Sequence, residues 1–169
     1  MKEVLRSFSV IRDLDHLIAA LNAEKLFGAI TEISGEQGFG KTRLVVDLIA
    51  QNSKYRVAWI EDDFTVYPYS LFQSGLNAEQ VFFVDSGDEY LWSLFQVLSS
   101  QLFRIVVISI SVALKELELR RIQLAAEKAG SAVIVLSKKT TRNAWPISLQ
   151  IEMSEIGCLI KKHKGAMVP

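Results

Sequence analysis

The residues with the clearest chemical meaning are those from Gly35 to Thr42, which read Gly-Glu-Gln-Gly-Phe-Gly-Lys-Thr and fit the pattern G-x-x-x-x-G-K-[ST]. Glycines let the backbone curl so that successive N–H groups point inward at phosphate oxygens. The lysine of this pattern contacts the β- and γ-phosphates, and the threonine hydroxyl binds Mg²⁺. We therefore expect ATP with Mg²⁺ as the cofactor and Thr42 as a metal ligand. The predicted cofactor-binding residues are Gly35, Glu36, Gln37, Gly38, Phe39, Gly40, Lys41, Thr42 and Arg43.

Such a phosphate loop works with an acid that holds the Mg²⁺ water, usually an aspartate at the end of a buried strand. The natural candidate strand is 104–110, Arg-Ile-Val-Val-Ile-Ser-Ile, and no acid ends it. Ile108 or Ser109 occupies the expected place. Ser109 is therefore the second candidate metal-site residue, because its hydroxyl could bond to a metal-bound water, but it supplies no negative charge. We therefore predict no ATPase activity or a very weak one, unless another carboxylate takes over.

Three acids that could take over, Glu61, Asp62 and Asp63, directly follow a predicted strand over 55–60. Alternation along an extended chain predicts that Glu61 and Asp63 point one way and Asp62 the other. Asp63 could orient an attacking water, and Glu61 is the second candidate for a catalytic role. The alternative is a solvated acidic turn ahead of Pro68.

The cations of the chain concentrate after the predicted strand 132–136 and near the C-terminus. Basic side chains of this kind can contact DNA phosphates or line a protein interface. The alternative is a solvated hairpin edge, where lysines discourage aggregation. The candidate DNA-contacting or interface residues are Lys138, Lys139, Arg142, Lys162 and Lys164.

An alternation of predicted strands and helices positions these residues and indicates an α/β fold with a mostly parallel central sheet flanked by helices. The segments 147–153 and 158–162 look like a C-terminal antiparallel hairpin. Leu14, Leu17, Ile18 and Leu21 recur at helical spacing, so we expect an N-terminal helical segment over 1–27 and a core domain over 28–169. The remaining predicted strands are 29–34, 81–84 and 103–110, and the helices are 42–52, 88–101 and 114–129.

Composition excludes several classes of protein. The chain has 169 residues, and its 19 Lys and Arg balance its 19 Asp and Glu, which argues against a strongly basic nucleic-acid binder. Half of the residues are hydrophobic, yet the longest apolar run, 105–114, is about half of what a membrane-spanning helix needs. One cysteine and an N-terminus without a secretory signal favour a cytoplasmic protein that is not membrane-bound.

Together these segments resemble the RecA-like P-loop core. Residues 30–35 look like its first core strand, and 59–63 with Pro68 are similar to the segment that ends in its catalytic glutamate. The resemblance places Asp63, one methylene shorter, at that glutamate. It also places Lys138 where RecA has a glutamine that senses the γ-phosphate.

The resemblance further implies a head-to-tail homo-oligomer, because 162–164 is similar to a two-lysine element that reaches the neighbouring subunit's nucleotide in RecA filaments. The chain departs from RecA in its DNA-binding loops. The first has no counterpart after Ser111, and the second is reduced to about residues 139–145. We therefore do not expect a strand-exchange recombinase.

A closer resemblance is to the ImuA/SulA-type accessory group of the DNA-damage response, whose "LRRLQLAAE" helix is similar to residues 118–127. It implies an accessory role in translesion synthesis and the SOS response through protein–protein contact, with translesion polymerase components or RecA as partners. The alternatives are a SulA-type inhibitor that binds a polymerising target such as FtsZ, or a genuine ATPase. SulA-type chains usually lack an intact phosphate loop, so Gly35–Thr42 favours the ImuA side.

Overall fold

A computed structural model describes residues 10–11, 18, 21–63, 65–142 and 145–163. A single sheet runs through these residues in the order β1-β8-β7-β2-β6-β5-β3-β4. Its strands are β1 (Val10–Ile11), β2 (Ile30–Ser34), β3 (Val57–Glu61), β4 (Val81–Asp85), β5 (Ile105–Ser109), β6 (Ala132–Ser137), β7 (Ile147–Ser154) and β8 (Gly157–His163).

The centre of the sheet is parallel. β2 lies between β6 and β7, and the sheet continues from β6 through β5 and β3 to β4 with every one of these pairs parallel. The carboxyl ends of β2, β3, β5 and β6 therefore meet at one edge, which is where ligands bind in open α/β sheets. β7 and β8 form an antiparallel hairpin, and β1 pairs antiparallel with β8.

Helices cover both faces of the sheet: α1 (Lys41–Ala50), α2 (Pro68–Gln73), α3 (Tyr90–Ser100) and α4 (Glu116–Ala129), with 3₁₀ turns at Ala23–Leu26 and Gly87–Glu89. The core is divided into two clusters, one on each face of the sheet. Consecutive residues of β3 point into different clusters, since Trp59 packs with α1 while Ile60 packs with α3 and α4. Burial on both faces explains why β3, β5 and β6 are apolar at consecutive positions. In the described part of the chain, no helix is both long and apolar enough to cross a bilayer.

The predicted α/β fold, its mostly parallel sheet and its C-terminal antiparallel hairpin are confirmed. The N-terminal helical segment predicted over 1–27 is wrong at Val10 and Ile11, which form β1 and pair with Leu159 and Cys158. The ladder of β8 gives their backbone groups partners that local periodicity could not indicate. Residues 1–9, 12–17 and 19–20 lie outside the described residues, so the division into 1–27 and 28–169 stays a prediction.

Candidate nucleotide-binding site

The phosphate loop joins the carboxyl end of β2 to the first turn of α1. Gly35, Gly38 and Gly40 have positive φ angles of 139°, 92° and 90°, a region that favours glycine. A Cβ at Gly35 would also lie 2.5 Å from the carbonyl oxygen of Met153 in β7, so that position has no room for a side chain. Because α1 begins at Lys41, the positive end of its dipole and the N–H groups of its first turn face the loop.

Lys41 lies between the phosphate loop and the end of β6. Its ammonium Nζ donates a hydrogen bond to the carbonyl oxygen of Ser137 at 2.8 Å. Partial burial lowers the pKa of Lys41 below its ordinary value, and the positive charge of Lys138 acts in the same direction, while Glu36 opposes them. A phosphate group entering the loop would therefore meet a lysine whose charge is incompletely compensated.

Glu61 is fully buried at the end of β3 and accepts three hydrogen bonds. They come from the indole Nε1 of Trp59 at 3.0 Å and from the backbone N–H groups of Thr65 and Val66 at 2.9 and 3.1 Å. The carboxylate therefore fixes the turn that follows β3. Asp63 lies exposed in that turn. The catalytic roles of Glu61 and Asp63 stay predictions.

Ser109 ends β5 in register with Glu61 on one side and Leu136 on the other, so its hydroxyl occupies the sheet edge where an acid was expected. The nearest acid after these strands is Asp62, whose carboxylate accepts from the backbone N–H and the hydroxyl of Ser111 at 2.7 and 2.6 Å. Burial acts to raise the pKa of Asp62, but the hydrogen bonds from Ser111, together with those from the backbone N–H groups of Asp63 and Asp62, outweigh it, and the pKa lies below its ordinary value. Sequence reasoning did not foresee this link between β3 and β5.

Glu32 is a second buried carboxylate, and sequence reasoning missed it. It lies on β2 and accepts hydrogen bonds from Ser137, Thr141 and Gln150. The available signal was an acid inside the strand that leads into the phosphate loop. Since an ionised side chain is costly to bury without partners, its presence there indicates a dedicated set of donors.

The predicted cations fall into two groups. Lys138, Lys139 and Arg142 belong to residues 138–142, here called the basic segment, which lines a groove of about 630 Å³ beside the phosphate loop. Lys161 lines the same groove and forms an ion pair with Glu152 at 2.6 Å. The side chain of Lys162 and all of Lys164 lie outside the described residues, so their predicted role is not placed.

These residues fit a nucleotide's phosphates better than they fit a catalytic metal. The glycines, the start of α1 and Lys41 supply donors and positive charge, and Thr42 supplies a hydroxyl for Mg²⁺. No group of three or more His, Cys, Asp or Glu side chains that could hold a metal ion occurs in the described residues. With Thr42 and Ser109 as the predicted ligands, Mg²⁺ would gain no carboxylate from the chain.

A phosphate loop after β2, with β6 inserted between that strand and β5, defines a RecA-like P-loop fold. Among solved structures, the chain is similar to the RadB recombinase, with a TM-score of 0.56 and 18% identity over 82% of this chain and 83% of that one. At that identity the likeness shows the fold. No family model and no curated protein sequence matches the chain. The ImuA/SulA-type grouping therefore stays a prediction.

Proposed function

We propose that the chain is a RecA-like accessory protein of DNA-damage tolerance that acts by protein–protein contact and carries a degenerate nucleotide site. One observation carries the proposal: the chain has a complete phosphate loop, while β5 ends in Ser109 instead of an acid. Such a site would bind ATP, while its capacity for hydrolysis would be low.

The phosphate loop supports binding. Backbone N–H groups and the helix dipole favour an anion at the start of α1. Lys41 would have to exchange the carbonyl of Ser137 for a phosphate oxygen. An ammonium-to-phosphate contact is charge-assisted and therefore stronger than the bond to a neutral carbonyl, so the exchange favours the ligand.

The carboxylates support weak hydrolysis. Glu61 uses its oxygens on Trp59 and the turn after β3, and Asp62 uses one on Ser111. Asp63 is exposed, and nothing in the described residues orients its side chain toward the phosphate loop. A genuine ATPase, the alternative, would need Asp63 to position the attacking water when nucleotide binds.

The connections and the surface support an accessory role. β5 reaches α4 through residues 110–115, and β6 reaches β7 through 138–146, so neither connection matches the long DNA-binding loops of a strand-exchange enzyme. Large apolar side chains remain exposed on and beside the helices, as expected for a surface that contacts proteins. They include Trp92, Leu117, Leu124 and Trp145.

On this proposal the protein partners are translesion polymerase components or RecA. The basic segment would make a weak contact with DNA phosphates, and Lys162 and Lys164 would take part in a head-to-tail homo-oligomer. The second candidate function, inhibition of a polymerising target such as FtsZ, is distinguished by pull-down with the purified proteins. Lys41→Ala should leave FtsZ capture unchanged if that function holds.

The principal test measures ATP affinity, and ATP turnover with and without single-stranded DNA, in the wild type and in Ser109→Asp. The wild type should bind ATP and turn it over slowly without stimulation. The variant adds a carboxylate at the end of β5 and should raise Mg²⁺-dependent affinity by about tenfold, or about 1.4 kcal/mol. Fast, DNA-stimulated hydrolysis by the wild type would overturn the weak-ATPase proposal, and absence of ATP binding would overturn the nucleotide site.

A further inference from the structure

The hydrogen bonds around Glu32 come from three separate places. Ser137 at the end of β6 donates its hydroxyl at 3.0 Å, and Gln150 of β7 donates its amide Nε2 at 2.6 Å. Thr141 of the basic segment donates its hydroxyl at 2.6 Å and its backbone N–H at 3.2 and 3.1 Å to the two oxygens. A carboxylate only accepts hydrogen bonds, so Glu32 suits these three donating residues. None of them is a cation.

These bonds hold the middle of the basic segment against the sheet. Gln150 also donates to the carbonyl of Thr141 at 2.9 Å, and the hydroxyls of Ser34 and Thr140 lie 2.6 Å apart. The segment is therefore tied to β2 and β7 at Thr140 and Thr141. The cationic side chains on either side of these two threonines line the groove beside the phosphate loop.

Lys138, Lys139 and Arg142 make no ion pair among the described residues. Two acids, Glu36 and Glu152, line the same groove, and Glu152 is paired with Lys161. A phosphate-bearing chain would therefore find three cations outside any ion pair, at a location that the Glu32 bonds determine. Loss of those bonds would let the segment move and would separate its cations from the phosphate loop.

We propose that Glu32 is a positioning residue: it fixes the basic segment so that Lys138, Lys139 and Arg142 bind the phosphates of a single-stranded nucleic acid in this groove. The inference rests on the proposed DNA contact of the segment and not on nucleotide binding at the phosphate loop. Loss of a negative charge ordinarily favours the binding of an anion. Removing the negative charge of Glu32 should instead weaken it.

The test measures the affinity of an oligothymidylate for the whole chain across a series of salt concentrations. Glu32→Gln places an amide N–H₂ among groups that donate, so we expect weaker binding by about tenfold and a salt slope smaller by about 1, the effect of losing one phosphate contact. Glu36→Gln is the matched control, because it removes a charge from the same groove without touching the bonds of Glu32. It should tighten binding.

Hydrogen exchange adds a readout of position, since the amide of Thr141 should exchange faster in Glu32→Gln. Thr141→Val removes one donor from the segment and leaves the sheet intact, so it should act in the same direction with a smaller effect and serves if Glu32→Gln does not fold. Equal or tighter binding by a folded Glu32→Gln would overturn the inference. So would a wild type that does not bind the oligonucleotide. ATP binding, measured separately, tests the nucleotide site.

Discussion

The two halves of the candidate site lie at the same edge of the sheet, on either side of β6, and differ in how complete they are. At the end of β2, three glycines with positive φ, the first turn of α1 and Lys41 supply all the groups that the phosphate-loop pattern predicts for phosphate binding. At the end of β3, the buried carboxylate of Glu61 accepts hydrogen bonds from the turn that follows. At the end of β5, Ser109 stands where an acid is expected. In the function proposed above, binding and hydrolysis of a nucleotide would thus depend on different residues, and only the first set is complete.

The difference has a physical cause. A phosphate loop uses backbone N–H groups and one lysine, and these keep their places as long as the chain folds around them. A catalytic carboxylate needs an oxygen that is not already occupied. Glu61 accepts from Trp59, Thr65 and Val66, so its charge contributes to the fold of the turn. We call the end of β2, with the phosphate loop and Lys41, the binding end. The ends of β3 and β5, with Glu61 and Ser109, are the structural end.

Gly35→Ala should damage the binding end most. The new Cβ would meet the carbonyl oxygen of Met153, and the backbone at φ 139° does not suit an L side chain. We expect a loss of about 3 kcal/mol or more in the free energy of unfolding, measured by urea denaturation. Gly75→Ala is the control, because its φ is also positive but its Cβ would meet no atom within 4 Å. Equal losses in both variants would contradict the proposed role of the Met153 contact.

Glu61→Gln tests the structural end. The amide would keep one acceptor but would direct an N–H₂ at backbone donors, at a cost of about 2 kcal/mol in unfolding free energy. Glu79→Gln, at an exposed position, should change stability by less than about 0.5 kcal/mol. A stable Glu61→Gln with strongly reduced ATP turnover would instead make Glu61 a catalytic residue.

Lys41→Ala should affect the binding end and leave the structural end unchanged. ATP affinity should fall by about 10- to 100-fold, because a charge-assisted bond to phosphate is lost, while thermal stability changes little. Isothermal titration calorimetry measures the affinity, and Lys128→Ala, on the exposed side of α4, is the matched control. Unchanged affinity in Lys41→Ala would show that the loop no longer binds phosphates.

The smallest expected effect concerns Asp62. Its folded-state pKa is depressed, so its contribution to stability is present above the unfolded pKa and is lost as the pH falls through the folded value. The unfolded value is about 4, and because the side chain is partly solvated the contribution should be below about 1 kcal/mol. Urea denaturation from pH 6 to pH 2.5 should show a smaller pH dependence for Asp62→Asn than for the wild type. The same pH dependence in the wild type and in Asp62→Asn would show that the hydrogen bonds of Asp62 do not contribute to stability.

The sequence predicted the fold because its signals are local. Strands that are apolar at consecutive positions indicate a parallel sheet covered on both faces, and the glycine pattern indicates the phosphate loop. The partners of Glu32 and Glu61 could not be predicted in the same way. Thr141 and Gln150 lie 109 and 118 residues from Glu32, so only the order of strands brings them together.

By itself, the sequence determined the phosphate loop, the missing acid on β5 and the alternation of strands and helices, since each depends on residue types at short spacing. The tertiary structure alone decided what the polar side chains do. It placed Lys41 on the carbonyl of Ser137, Asp62 on Ser111 and the basic segment on Glu32. The reason is that a buried polar group must find a partner, and the parallel sheet selects that partner from strands distant in the chain.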